Sequence, residues 1–510
     1  MIASLRDLLQ PARTVSHRQV SARLVNPVGL MRRLGLPGSG PFVLLDSAGG
    51  NPDLCRYSFL AWNPRLAVTV RRGIARITGP GAAGADGFLG GEVFEVEAED
   101  PFELIRKLLG ALSPDEAIIQ QSAANLPISG GVFGLAGYDA GRYIENLPRL
   151  AADDLDLPEF DFIFPSRLIC YDHRQETAHL VFEDAAPGEL EEAESALRRQ
   201  EAAGPAEPPP GIDRHAFSLS SVTRSNMTRA SFKHIVRRAK EYILAGDIFQ
   251  SNLSQRLELD YAGDSLDLYD SLRAVNPSPF AGYLELDGYQ VISSSPERLV
   301  QLAGRQAQTR PIAGTRRRGA DFSEDYDLRQ ELNLDPKERA EHIMLVDLER
   351  NDLGRVCDYG SVNVNELMVN EAYSHVIHIV SNVQGTLHQR QDALDLLRAM
   401  FPGGTITGCP KVRCMEIIDE LEPVRRGFYT GSFGYIGYNG DMDMNIIIRT
   451  LVRRDDKVYA QAGAGIVADS DPEREYRETL RKAEAMVHAV ELANRKTART
   501  KTLFSLTGEG

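Results

Sequence analysis

Several side chains late in the chain are spaced to hold an anionic small molecule. Gly463-Ala464-Gly465 would let backbone N–H groups approach an anion closely, because glycine has no Cβ. Glu475, Glu478 and Lys482 follow at spacings of three and four, which put them on one face of a helix. The bland reading of Glu478 and Lys482 is a surface ion pair worth little. The chemical reading is a carboxylate and a cation at a substrate, and the glycines just before them favour it. Arg449 follows the strand-like run Asn445-Ile446-Ile447-Ile448. A guanidinium there either forms a structural pair at a strand edge or binds a substrate carboxylate bidentately. Glu297 closes Ser294-Ser295-Pro296-Glu297, as a cap after proline or as a general acid. His375 and His378 are three apart, but no further His or Cys nearby completes a metal-ligand set. In Gln308-Thr309-Arg310-Pro311-Ile312-Ala313-Gly314-Thr315, Pro311 and Gly314 predict a tight bend with the Thr315 hydroxyl just past it.

Five blocks occur in order: the Pro311–Thr315 segment; Glu341-His342-Ile343-Met344-Leu345-Val346-Asp347-Leu348; His375-Val376-Ile377-His378; Gly404-Thr405-Ile406-Thr407-Gly408-Cys409-Pro410-Lys411; and Gly463–Val467 leading to Glu475-Tyr476-Arg477-Glu478-Thr479. Together they resemble the chorismate-binding family, which contains anthranilate, aminodeoxychorismate, isochorismate and salicylate synthases. The likeness covers most of the chain and is densest from about Phe232 to about Ala489. It implies that Glu341 and Glu478, with Glu475 as a possible third carboxylate, hold Mg²⁺ against the ring carboxylate of chorismate. Carboxylate oxygens suit that ion. It also implies that Lys482 and the glycines at 463 and 465 face the ring carboxylate, and that Arg449 and Tyr429 hold the enolpyruvyl arm. Glu297 becomes the acid that protonates the departing C4 hydroxyl, a poor leaving group. His378 is associated with pyruvate loss, Thr405 is a site-lining hydroxyl, and His375 is structural.

Two positions discriminate within the resemblance. Gln250 stands where water-using relatives carry a lysine base, and an amide cannot act as that base. Ala313 stands where aminodeoxychorismate synthases carry a nucleophilic lysine, so ammonia should add directly at C2. The reading is amination and pyruvate elimination to anthranilate. Other segments, Gln250 to Arg256 and Asn276 to Leu284, resemble aminodeoxychorismate synthase, which stays as the alternative. Ser47, Pro279, Phe280 and Ala281 match the tryptophan feedback pocket of anthranilate synthases, with departures: Phe280-Ala281 replaces the usual Tyr-Met, and Asp46 a glutamate. Cys409 lies inside the synthase block and no second catalytic domain follows, so the resemblance implies a separate glutaminase subunit that supplies ammonia. A non-catalytic sensor of chorismate or tryptophan would be favoured by loss of Glu297, Glu341, Glu478 or Arg449, and all four are present. A nucleotide-binding enzyme is disfavoured, because neither a P-loop nor a G-x-G-x-x-G after a strand occurs.

Composition bounds the rest. The 510 residues are 43% hydrophobic and 25% charged, ordinary for a soluble globular protein. The net charge of −15 disfavours nucleic-acid and anionic-membrane partners. Five scattered cysteines without a C-x-x-C pair, no basic-then-apolar N-terminus and no long apolar run predict a reduced, cytoplasmic protein.

Short apolar runs broken by Gly and Pro predict strands to about residue 185, with a helix over Pro101–Leu112. Residues 185–215 read as a linker or surface excursion, with a charged helix over Glu189–Ala202 broken by Pro208-Pro209-Pro210-Gly211. Thr228 caps a helix that opens the catalytic region, 216–495, and 496–510 reads as a frayed tail. Pattern alone supports a mixed α and β protein. The resemblance makes it α+β: the anthranilate synthase-like fold of packed antiparallel sheets flanked by helices, in which an N-terminal region, 1–215, shares an interface with the catalytic region.

Overall fold

A computed structural model describes residues 12–52, 54–79, 91–115, 126–205, 221–319, 321–372 and 376–507. The fold is mixed α and β, and every ladder between its strands is antiparallel. Strands from the two ends of the chain pair directly. Phe42–Asp46 lies between Tyr57–Arg71 and Phe280–Leu286. Gly131–Ala136 lies between Phe160–Asp172 and Ser432–Gly437. The hydrophobic clusters also cross the halves. One joins Phe102, Phe160 and Phe162 to Leu299, Leu397 and Met444, and another joins Phe42 and Leu180 to Tyr269, Tyr283 and Met486. Each such large side chain contributes roughly 2 kcal/mol on burial, so neither half has a complete core alone.

The helix at Pro101–Leu112 has the predicted bounds: Asp100 caps the Glu103 amide, Pro101 sits at the first position, and Phe102, Leu104, Ile105, Leu108 and Leu112 are buried. Thr228 caps Arg229–Ala245, whose Phe232, Ile235, Val236 and Ala239 are buried. The charged segment after 185 is a docked helix, Glu189–Ala203, burying Ala193, Ala196 and Leu197. The proline run at 208–211 lies outside the described residues. Helix Pro472–Thr507 continues past 496, where a frayed tail was expected. Residues 508–510 lie outside the described ones.

Two local expectations change. The Pro311–Gly314 segment is not a tight turn. It enters strand Ile312–Arg317, whose register against Val376–Thr386 shifts between Ala313 and Thr315, with Gly314 at φ +63°. Glycine there makes a bulge rather than a reversal. The run Asn445–Ile448 is also not one strand. The strand ends at Asn445, and the chain leaves the ladder until Thr450. Within that break Arg449 takes φ +53°, and Thr430, whose amide donates to the Ile447 carbonyl, takes φ +64°. Left-handed non-glycine residues cost about 1 kcal/mol or more each and tend to gather at functional sites.

No helix among the described residues is long and apolar enough to cross a membrane. All five cysteines are unpaired.

Candidate active site

Strand Gln250–Asp260 pairs with Lys457–Ile466 and sets the floor of the site, with Asn252 opposite Gly465 and Ser254 opposite Gly463. Both glycines are required sterically. A Cβ on Gly465 would lie 2.5 Å from Gln250 Nε2. A Cβ on Gly463 would lie 2.7 Å from the Tyr429 hydroxyl and closer still to Asn252 Oδ1. The glycines are therefore explained by room for these side chains, beyond any role of their amides.

Lys482 reaches from the C-terminal helix to this floor. Its ammonium donates to the Gly463 carbonyl at 3.1 Å and pairs with Glu478 at 3.0 Å. The Glu478 carboxyl titrates below its ordinary value: burial opposes this, but Lys482 outweighs it. Helix Pro336–Gly354 supplies Glu341, which stands 3.8 Å from Lys337. Burial raises the Glu341 carboxyl, and the charges of Glu338, Glu475 and Glu478 add to the rise. Glu475 is raised by burial and by Glu478. Glu341, Glu475 and Glu478 thus share one electrostatic neighbourhood. Among the described residues, no three His, Cys, Asp or Glu close around one point as a cation cage.

Glu297 lies in the connection between strands Tyr289–Ser295 and Arg298–Ala303, held by Ile446 N–H donating to its carbonyl at 3.0 Å. It is 6% exposed, and Oε1 has no hydrogen-bond partner. Burial pushes its carboxyl up to about 7, tempered by the Thr405 hydroxyl, the Ile312 amide and Lys482. Thr405 Oγ1 is itself buried and unpartnered, so the two groups are neighbours outside hydrogen-bond geometry. Gln250 Oε1 and Asn252 Oδ1 are likewise buried without partners. Unmade hydrogen bonds of this kind are costly and rare in a finished core. Here they gather where a polar ligand would satisfy them.

His378 Nδ1 lies 3.0 Å from the Gly314 carbonyl, which requires the proton on Nδ1. Burial lowers the imidazole below its ordinary value. Ala313 stands between Ile312, whose amide faces Glu297, and Gly314, whose carbonyl holds His378. Thr315 pairs with His378 in the ladder, but its side chain is not among those described, and His375 lies outside the described residues. Burial lowers the Arg449 guanidinium against the opposing pull of Tyr429 and Glu478. Arg449 has no ion pair among the described residues. Burial raises the Tyr429 hydroxyl.

Three supporting residues are absent from the sequence reading. Arg426 pairs with Glu422 at 2.7 Å, donates to the Asn252 carbonyl at 2.6 Å and to the Ile406 carbonyl at 3.1 Å, and stacks over Tyr429. It ties the strand of Gln250 to the loop of Thr405. Glu422 also accepts from the Ser254 amide and hydroxyl. Glu349, two turns after Glu341, is 3% exposed. It shares the buried face of its helix with Leu345, Val346 and Leu353 but also with His342 and Asp352, so residue type and spacing do not single it out.

Ser47, Pro279, Phe280 and Ala281 do come together. They line a separate cavity of about 350 Å³ whose wall includes Asp46, Arg298 and Asp443. Asp46 is fixed by Arg273 at 2.6 Å and the Tyr269 hydroxyl at 2.8 Å.

Residues 88–488 match the chorismate binding enzyme family. The chain belongs to that family. It is 43% identical over 457 residues to aminodeoxychorismate synthase component 1 of Bacillus subtilis, covering 89% of this chain and 93% of the relative. It is 41% identical over 497 residues to anthranilate synthase component 1 of Acetivibrio thermocellus, covering 93% and 94%. Anthranilate synthase component I from Streptococcus pneumoniae superposes with a TM-score of 0.69 at 34% identity, covering 85% of this chain and 92% of that one. The protein is a chorismate-utilising enzyme of the class these names span, and the names divide between two products.

Proposed function

We propose that this chorismate-binding enzyme aminates its substrate at C2 with ammonia and eliminates pyruvate to give anthranilate. The observation that carries the reading is position 313. It lies between the residue whose amide faces the buried acid Glu297 and the residue whose carbonyl holds His378, and its side chain is a methyl group with no nucleophile. Gln250, on the same floor, offers no base for water. Ammonia needs no such base.

Glu297, buried and protonated to about neutrality, is suited to protonate the C4 hydroxyl as it departs. Arg449 and Tyr429 bind the carboxylate of the enolpyruvyl arm. Lys482 and the floor glycines orient the ring carboxylate. His378, with its proton on Nδ1, presents Nε2 as the basic atom to take the C2 proton when pyruvate leaves. Glu341 and Glu478, with Glu475 beside them, would hold Mg²⁺. Two or three carboxylates without a closed cage fit an ion that keeps water and substrate oxygens among its ligands. Bound there, the ion neutralises charge at the ring carboxylate. A separate glutaminase subunit supplies the ammonia, a reading supported by the component naming of the relatives.

A second reading, 4-amino-4-deoxychorismate as product, is favoured by the 43% identity to the Bacillus subtilis enzyme. Incubation with chorismate, Mg²⁺ and an ammonium salt, followed by mass and fluorescence identification of the product, separates the two. Glu341→Gln and Glu478→Gln should each abolish turnover at low Mg²⁺. No chorismate consumption at high ammonium and alkaline pH overturns both readings.

A further inference from the structure

Glu371 and Arg310 form an ion pair that the proposed chemistry does not use. Strand Asn363–Ala372 lies on one side of the central strand Val376–Thr386, and Ile312–Arg317 lies on the other. Glu371 stands directly opposite His378 in that ladder. Such cross-strand partners point to one face, with Cβ atoms about 5 Å apart. Arg310, at the entry to Ile312–Arg317, reaches over the central strand to Glu371 at 2.5 Å and to Glu366 at 2.7 Å. Glu366 is opposite Asn382, four residues along the central strand from His378 and so on the same face. The Asn51 side-chain amide, from the loop that borders the 350 Å³ cavity, donates to the Glu371 oxygen that Arg310 holds, at 3.1 Å. Glu371 is 8% exposed. A buried ion pair is seldom more stable than apolar residues that could replace it, so its charge calls for another reason. One guanidinium against two carboxylates leaves a net negative charge beside the imidazole.

We propose that Glu371 is a positioning residue for the elimination step: its carboxylate, fixed across the ladder from His378 by Arg310 and Asn51, holds negative charge beside the imidazole as Nε2 takes the C2 proton. The inference rests on the reading of His378 as the base that assists pyruvate loss. In that step the C2–H bond breaks and the proton goes to Nε2. The C3–O bond to the enolpyruvyl arm breaks, its electron pair leaves with the oxygen, and a C2–C3 double bond completes the aromatic ring. The imidazolium then returns the proton to the departing enolpyruvate, which becomes pyruvate. No other reactant enters. The anion at 371 stabilises the imidazolium formed midway, as a carboxylate beside a catalytic histidine does elsewhere.

The other groups facing His378 work mostly against that imidazolium. Burial disfavours it, and the cations Arg449 and Lys482 add to this, while the Gly314 carbonyl and Glu371 oppose them.

The test is product partition. With chorismate, Mg²⁺ and an ammonium salt, anthranilate formed is compared with chorismate consumed, and the C2 amine adduct that keeps its enolpyruvyl arm is followed by mass. Glu371→Gln should raise the adduct relative to anthranilate by about tenfold, which one pKa unit of lost charge stabilisation gives, while KM for chorismate holds. Glu371→Asp, which keeps the charge, should restore most of the anthranilate. An ion pair that merely tied the strands together would lower consumption and anthranilate alike. An unchanged partition in Glu371→Gln, or loss of consumption without adduct, therefore overturns the proposal. If Glu371→Gln does not fold, Glu366→Gln decides, at a side chain 43% exposed. It leaves Arg310 to neutralise Glu371, so a smaller rise in adduct supports the proposal and an unchanged partition overturns it. A wild-type enzyme that gives no anthranilate overturns the functional reading and this inference with it. Wild-type anthranilate with an unchanged partition in the variants overturns the inference alone.

Discussion

Glu297 and Arg298 are consecutive residues whose side chains face different surroundings. The Glu297 carboxyl is buried beside Thr405, while Arg298 forks onto Asp443 with two contacts of 2.9 Å and lies over the Phe280 ring in the wall of the 350 Å³ cavity. The peptide between them is pinned to one partner strand, by Ile446 N–H to the Glu297 carbonyl and by the pairing of Arg298 with Asn445. A ligand that draws Arg298 away from Asp443 therefore acts on the backbone that carries the acid. That is a contiguous route for coupling, and its strength is a measurable free energy.

The first prediction concerns that cavity. Its mix of Arg, Asp and Ser with aromatic and proline walls suits a free amino acid with an apolar side chain, and tryptophan is the occupant to try. At a hundredfold excess over its Kd it should stabilise the protein by about 2.7 kcal/mol, read as a rise in Tm, and turnover should fall. No thermal shift at millimolar tryptophan would remove the amino acid as occupant.

Glu297→Gln should cut turnover sharply yet stabilise the protein at alkaline pH. The folded carboxyl titrates near 7 and the unfolded one near 4.5. The native state therefore binds more protons than the unfolded state between those values, and wild-type stability falls as pH rises through that window. Glutamine removes the titration. The variant should gain on the order of 2 kcal/mol over wild type on going from pH 5 to pH 8, measured by denaturant unfolding. Turnover should drop by roughly 100-fold or more. Equal stability differences at both pH values would show that Glu297 is not a buried, protonated acid.

Much of this was legible in the chain because the signals are local. Asp100-Pro101 and Thr228 cap helices through their own next turn, so those elements need no tertiary context. The glycines at 463 and 465 stood out, but sequence pointed to their amides. Their main constraint comes from Tyr429 and Gln250, remote in sequence. The Gly314 bulge was read as a turn because both demand positive φ, and only the partner strand distinguishes them. The break at Ile446–Arg449 was hidden by an apolar run that looks like a strand. Arg426 and Glu349 were missed because long-range burial, not residue type or spacing, makes a charged side chain notable. Helix Glu189–Ala203 docks through two alanines and a leucine, too narrow an apolar stripe to stand out among its charges.

Gln250→Lys should introduce some isochorismate. The side chain at 250 lies against Gly465 on the floor of the site, where the family resemblance implies an amine in enzymes that use water. A lysine there, if burial lowers its pKa enough to leave it neutral, supplies the missing base. The product is scored by mass against the aminated one at low ammonium. An amine shown to be deprotonated, with no hydroxylated product, would remove Gln250 as the discriminating residue.

Ala313→Lys is the sharpest test of the reaction. In the wild-type protein the methyl group at 313 leaves ammonia as the only nitrogen nucleophile, so the product should carry nitrogen at C2 and, with His378 assisting pyruvate loss, appear as anthranilate. A lysine at 313 would stand between the Ile312 amide that faces Glu297 and the Gly314 carbonyl that holds His378. Desolvation among these groups, with the neighbouring cations Arg449 and Lys482 that already act on His378, favours the neutral amine. The variant should divert part of the flux to amination at C4, seen as 4-amino-4-deoxychorismate by mass. The segments around Gln250 and Asn276 resemble aminodeoxychorismate synthase, so the switch should need fewer compensating changes here than in a typical anthranilate synthase. If the wild-type enzyme itself makes 4-amino-4-deoxychorismate, then attack at C4 does not require an amine at 313. The assignment of this position as the determinant then fails together with the anthranilate reading.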